Sequence, residues 1–231
     1  EDESFWRIQR SGDVWTAWDK QGSRYVFGNS DATRARYPNF HAGTCPTPPA
    51  STNTWKWMLA EAYNAHNQKL TYTYWKDTLN KKSPCSNDNN SYATDVEIYP
   101  ETIEYANGRY YVYFEKEARL DYDSDWLDND IRTFFKRHRL KSVQIKHDPS
   151  GGEHSDASLI RKYSLGYSEN VFTGYAWDMT GKAFSLVSIQ ESGVGGGTLP
   201  ATIFSYGDGL HLNQPNNGYR EQAGYSYGSG P

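Results

Sequence analysis

The chain is 231 residues long, which suits one large all-β domain or two small ones. Its 24 Lys and Arg stand against 28 Asp and Glu, so the basic excess of a nucleic-acid-binding protein is missing, and no apolar run approaches the roughly 18 residues that span a bilayer. Leu, Ile, Val and Phe make up only about 16% of the residues, yet 19 Tyr, 8 Trp and a net charge of −4 exclude the disordered class and point to an aromatic-built, strand-rich fold.

In chain order, Phe5, Trp6 and Ile8 lead into a Ser11-Gly12-Asp13 turn, then Val14 to Trp18, then a turn over Asp19 to Gly22, then Arg24 to Gly28. Short alternating runs around Gly and Asp predict a β-meander. Residues 29–54, rich in Ser, Thr, Asn and Pro, predict a long loop. Trp55 to Tyr63 is read as a strand, because the Asn64-Ala65-His66-Asn67 turn leads straight into the period-two run Leu70 to Trp75. Residues 76–94 predict a second polar loop. Val96–Tyr99 and Thr102–Tyr105 follow as two runs, and Asn107-Gly108 between Thr102–Tyr105 and Arg109–Glu115 is the clearest hairpin signal in the chain. Ile131 to His138 is the best candidate for a short helix. Strands are then expected at Leu140–Ile145, Leu159–Tyr167, Phe184–Ile189 and Thr202–Tyr206. The fold class is therefore all-β: antiparallel hairpins and meanders, as a sandwich or an open, curved, shell-like sheet. The expected organisation is one β-rich domain over 1–206, with a subdivision near 95 as an option, and a Gly/Tyr-rich edge strand or linker over 207–231.

Several pieces, taken in order, resemble a known family: Trp15 to Gly28; Trp57-Met58-Leu59 with Asn67 to Tyr74; Tyr99 to Tyr105; Val112-Tyr113-Phe114 with Arg119-Leu120-Asp121; Arg139 to Val143; Ile160 to Tyr167; Leu186 to Ile189; and Leu199 to Tyr206. The series resembles the Rhs/YD-repeat proteins and the B subunits of insecticidal toxin complexes. The resemblance implies a β-rich segment of a larger secreted or surface protein, whose sheets build a hollow shell around a polypeptide cargo. Other segments of the parent chain, or that cargo, would be its partners. The aspartate-based self-cleavage of such relatives belongs to a later core, so no catalytic residue carries over. The loops at 29–54 and 76–94 and the cysteine pair depart from the pattern.

The candidate site residues are few. Cys45 and Cys85 are the only cysteines, and both lie in loop-like sequence. A bond between them would close a loop of about 40 residues and contribute roughly 4 kcal/mol. The acidic run holding Asp121, Asp123, Asp125, Asp128 and Asp130 offers oxygens for a hard cation, so calcium is the one cofactor considered. It lacks the EF-hand pattern, with Trp126 at the Gly position and Arg132 at the Glu position, and a solvated loop paired to Arg132, Arg137 or Arg139 explains it as well. His138, His147 and His154 lack zinc-like spacing and read as solvated or turn residues. Trp126 and Trp177, set beside aspartates, are the candidate sugar-stacking platforms, whereas at least half of the eight tryptophans are expected in the interior. Asn89-Asn90-Ser91 matches a glycosylation sequon. No nucleophile elbow is present, and strand glutamates such as Glu97, Glu104, Glu115 and Glu117 are expected on a solvent face. The leading expectation is a non-catalytic scaffold. A carbohydrate-binding module is the alternative, and a glycoside hydrolase is the third reading.

Overall fold

The computed structural model describes residues 6–39, 51–83, 85, 88–119, 136–151, 154, 156–171 and 182–205. Thirteen strands are present: β1 (Arg7–Ser11), β2 (Val14–Trp18), β3 (Arg24–Phe27), β4 (Arg34–Pro38), β5 (Thr52–Trp57), β6 (Leu59–Tyr63), β7 (Lys69–Lys82), β8 (Ser91–Tyr105), β9 (Tyr110–Ala118), β10 (His138–His147), β11 (Ser158–Val171), β12 (Lys182–Gly193) and β13 (Thr202–Ile203). Eleven of them form one open antiparallel sheet in the order β1-β2-β3-β6-β7-β8-β9-β10-β11-β12-β13. It is a meander interrupted once, where β4 and β5 leave to form a separate two-stranded sheet. Of the two expected architectures, the described residues form the open sheet. No helix among them is long and apolar enough to cross a membrane.

The register sorts the side chains onto two unlike faces, because residues directly opposite each other point the same way. One face carries Tyr25, Ala62, Leu70 and Tyr72, then Ile103, Val112 and Ile145, with Phe114, Val143, Tyr163, Leu165 and Ile189 continuing it. The other carries Glu61, Thr71, Glu104, Tyr111 and Lys146, with Thr102, Tyr113, Gln144, Lys162 and Ser192 alongside. Period-two alternation in the sequence is thus read out as an apolar face and a polar face.

The best-buried part lies where β7 and β8 run on past β6. There the small sheet lies against β8, and Ala35, Ala60, Val96 and Ile98 are buried. Burial pushes the Tyr74 hydroxyl up to about 12, and it donates to the Leu59 carbonyl (2.7 Å), tying β7 to the start of β6.

Several expectations change. The predicted loop over 29–54 contains β4 and the first half of β5, and the predicted loop over 76–94 is largely the continuation of β7 and the start of β8. Trp55–Tyr63 is not one strand, because it breaks at Met58 and its halves join different sheets. The Asn107-Gly108 hairpin is present, but Tyr105 pairs with Tyr110, so the loop has four residues, with Ala106 (φ 51°), Asn107 (57°) and Gly108 (81°) all left-handed. His138 opens β10 rather than ending a helix, and residues 131–135 lie outside the described residues. None of the tryptophans at 6, 15, 18, 55, 57 and 75 is fully buried. A sheet one layer thick leaves large rings half-covered over most of its area. Glu97, expected to face solvent, is buried against Lys56.

Candidate functional site

Trp126, Trp177, Cys45 and the aspartates at 121, 123, 125, 128 and 130 all lie outside the described residues. Cys85 is buried (6% exposed), and no described cysteine is free. Arg137 and Arg139 pair with Asp77 and Glu117. No group of His, Cys, Asp and Glu among the described residues is arranged to hold a metal ion.

Three side-chain networks were not legible in the sequence. The first joins the small sheet to the large one. Asp95 accepts from the Arg36 amide (2.9 Å), the Thr78 hydroxyl (2.7 Å) and Lys76 Nζ (3.1 Å), while its own carbonyl accepts from the Trp55 indole (3.2 Å). Lys76 also reaches Asp31 (3.0 Å), and that ammonium holds the Asp31 carboxyl below its usual range. The second centres on Asp77, 1% exposed, which is gripped by both arms of the Arg137 guanidinium. His138 Nδ1 lies 3.4 Å from the same carboxylate, and its ring meets Trp75 and Tyr99 edge-on.

The third network is the nearest approach to a catalytic constellation. His154, at φ 59°, has Nδ1 3.3 Å from Asp148 and Nε2 3.2 Å from Glu104, with its ring 4.1 Å from that of Tyr111. Ser150 donates to Asp148 (2.6 Å), not to the imidazole. A hydrolytic triad needs its serine on one ring nitrogen and its carboxylate on the other. Here carboxylates face both nitrogens, so the group closes the 148–157 turn and has no arrangement for activating a nucleophile. The Ser150 hydroxyl and the turn amides hold the fully buried Asp148 carboxyl below its ordinary value.

On the polar face, Glu115 joins β9 to β10 and β11. It accepts from Lys141 (2.7 Å) and Ser142 (2.7 Å) and lies 3.6 Å from Lys162, and these partners lower its carboxyl from 4.5 to about 2. A carboxyl lowered on folding stabilises the fold above its unfolded value and loses that contribution as pH falls through the folded one. Glu115→Gln should therefore be less stable than wild type at pH 7, with the gap closing between about pH 4.5 and pH 2. Denaturant melts across that range test this, and a gap independent of pH would refute it.

Among the described residues, the sheet ends in two exposed edges. Every residue of β1 is exposed, with Arg7 over the Trp18 ring (4.9 Å) and Arg10 over Trp15 (5.4 Å), while β13 has only two paired residues. A charged strand and a very short one are both ways of discouraging unwanted strand addition. The apolar face has no such protection. Its residues are half-buried along most strands, and no second layer covers it among the described residues.

No family model matches the chain, and no curated protein matches it. Solved structures do. The crystal structure of TcdB2-TccC3 superposes with a TM-score of 0.56 at 15% identity, over 89% of this chain but only 11% of that one. The crystal structure of TcdB2-TccC3-Cdc42 gives 0.55 over the same shares. The N-terminal domain of the effector protein SpvB from Salmonella typhimurium strain LT2 gives 0.52 at 13% identity, over 83% of this chain and 66% of that one. At such identities the likeness is one of fold, a toxin-complex-like β-rich sheet, and the chain spans about a tenth of the length of the TcdB2-TccC3 chains it matches.

Proposed function

We propose that this chain is a non-catalytic wall segment of a larger, secreted or cell-surface, toxin-complex-like protein. Its apolar face would be covered by other segments of the parent chain or by a polypeptide cargo. The observation that carries the reading is the eleven-stranded single sheet with an apolar-aromatic face left half-exposed. A monomeric soluble protein seldom leaves a patch of that extent open. The fold likeness to a small part of TcdB2-TccC3 supports it.

The native chain should bind the dye ANS while its strand circular dichroism is intact, since exposed apolar surface is what the dye reports. A native, monomeric chain that binds no dye would mean that its faces are already sealed, which defeats the wall reading. Turnover in a polysaccharide hydrolysis screen, abolished by one Glu→Gln change, would defeat the non-catalytic part. The Cys45–Cys85 bond belongs to the same reading of an oxidising location. Thiol titration in denaturant without reductant should find no free thiol, and two free thiols would remove the bond.

A further inference from the structure

We propose that the tyrosine-lined groove at one end of the apolar face binds a neutral, linear oligosaccharide. The groove encloses about 760 Å³, within the range of small-ligand sites. Tyr25 of β3, Tyr72 of β7 and Tyr105 of β8 line it, all on the apolar face, with Asn67, Gln68 and Asn107 from the two adjoining turns.

Local chain chemistry puts the carboxamides there. Both turns need a left-handed residue, and asparagine tolerates that conformation, so Asn67 (φ 60°) and Asn107 (φ 57°) occupy those positions. Asn64 serves the turn itself: its carbonyl oxygen accepts from the His66 amide (2.9 Å) and the Gln68 amide (3.0 Å), and its nitrogen donates to Gln68 Oε1 (2.6 Å). The side chains of Asn67 and Asn107 have no partner among the described residues and are exposed.

The rings extend beyond the groove. Trp6, 48% exposed, lies 5.4 Å from Tyr25. Tyr105 stacks on Tyr110 (5.5 Å, 15°), and Tyr110 lies 4.7 Å from His147. The result is an aromatic track that crosses the strands, with adjacent strands about 4.8 Å apart. A linear chain of rings suits such a track better than a single compact ligand.

Three features choose the ligand class. Tyrosine offers a flat aromatic face on which a sugar ring can stack. Carboxamides donate and accept at once, matching hydroxyls that do the same. No carboxylate lines the groove, and its one ionised lining residue, Lys69, is drawn off by Glu61 (3.6 Å), so nothing there selects a charged ligand. A proline-rich peptide also docks on aromatic grooves, but proline lacks an N–H, and the carboxamide oxygens would go unmatched. The proposal does not depend on the wall reading, since a wall segment and a free-standing module could both carry the groove.

The test is calorimetry and affinity electrophoresis of the folded chain with cellohexaose, chitohexaose, xylohexaose and mannohexaose, with decaproline as the competing class. At least one hexasaccharide should bind. Tyr72→Ala and Tyr105→Ala should each weaken it about tenfold, Tyr72→Phe should retain binding, and Ile203→Ser at the far edge should change nothing. If the tyrosine variants fail to fold, Trp6→Ala and Asn67→Gly decide, because both sit at exposed positions outside the strands and glycine keeps the left-handed turn, and each should weaken binding severalfold. Absence of binding to all four sugars at millimolar concentration overturns the proposal. So does binding untouched by these substitutions, or decaproline binding with the same tyrosine dependence. Dye binding without sugar binding would leave the wall reading standing and this one refuted.

Discussion

Replacing Asp77 by alanine is expected to cost about 3 kcal/mol, the scale for removing one partner of a buried ion pair. The carboxylate is 1% exposed and takes both arms of Arg137, a residue 60 positions later that sits just before β10. Loss of Asp77 would remove the carboxylate from a guanidinium that is only 25% exposed and free the His138 ring now wedged against Trp75 and Tyr99. His138 also donates its backbone amide to the Tyr99 hydroxyl (3.1 Å), so the entry of β10 is tied to the centre of the β7–β8 ladder. Guanidinium melts of Asp77→Ala, Arg137→Ala and the double variant measure the effect. The double variant should lose clearly less than the sum, because the two residues act as a pair. A single Asp77→Ala variant within about 0.5 kcal/mol of wild type would show that the grip on Arg137 does not hold the sheet together.

Gly28→Ala is the second large effect, at about 3 kcal/mol. Gly28 is left-handed (φ 66°), and an added Cβ would lie 2.5 Å from Trp57 Cδ1, 3.1 Å from the Asp13 carbonyl and 3.2 Å from Arg34 Cγ. Trp57 has little room to yield, since its ring meets Trp15 edge-on at 6.3 Å. The position is also a junction: Gly28 donates to the Met58 carbonyl (3.0 Å), where the chain passes between the small and large sheets. For a chain of this size the melting point should fall by roughly 6–12 °C. Gly12→Ala is the control. It has a similar φ of 57° but nothing within 4 Å of the added carbon, so only the backbone part, about 1 kcal/mol, should appear. Equal losses at the two sites would show that the clash with Trp57 is relieved at no cost.

The hairpins were legible because their signals are local. Leu70 to Trp75 alternates with period two, and the Asn64–Asn67 and Asn107-Gly108 stretches supply residues that tolerate left-handed turns. The strand ends at 76–82 and 91–95 were not legible. Asp77, Lys81 and Asp95 look like loop residues, yet all three are buried. Asp77 is neutralised by Arg137 and Asp95 by Lys76, together with the Arg36 amide 59 positions away, and no window of neighbouring residues contains those pairings. The same blindness hid the site. The flanking aspartates single out Trp126 and Trp177 in the sequence, whereas the groove gathers Tyr25, Tyr72 and Tyr105 from strands that meet only in the folded sheet. A signal did exist: Tyr72 and Tyr105 lie close to the turns that carry Asn64, Asn67, Gln68 and Asn107.

By itself, the sequence determined the all-β class, the antiparallel meander and its turns, since side-chain alternation and left-handed turn residues act over a few positions. Tertiary structure alone decided the rest: that β4 and β5 form a second sheet against β8, that Asp77, Lys81, Asp95 and Glu97 share the most buried region with Ala35, Val96 and Ile98, and that the aromatic rings align across strands. Those outcomes depend on register and on ion pairs between residues tens of positions apart. Register is set by the sheet as a whole, because a slip of one residue would exchange its apolar and polar faces.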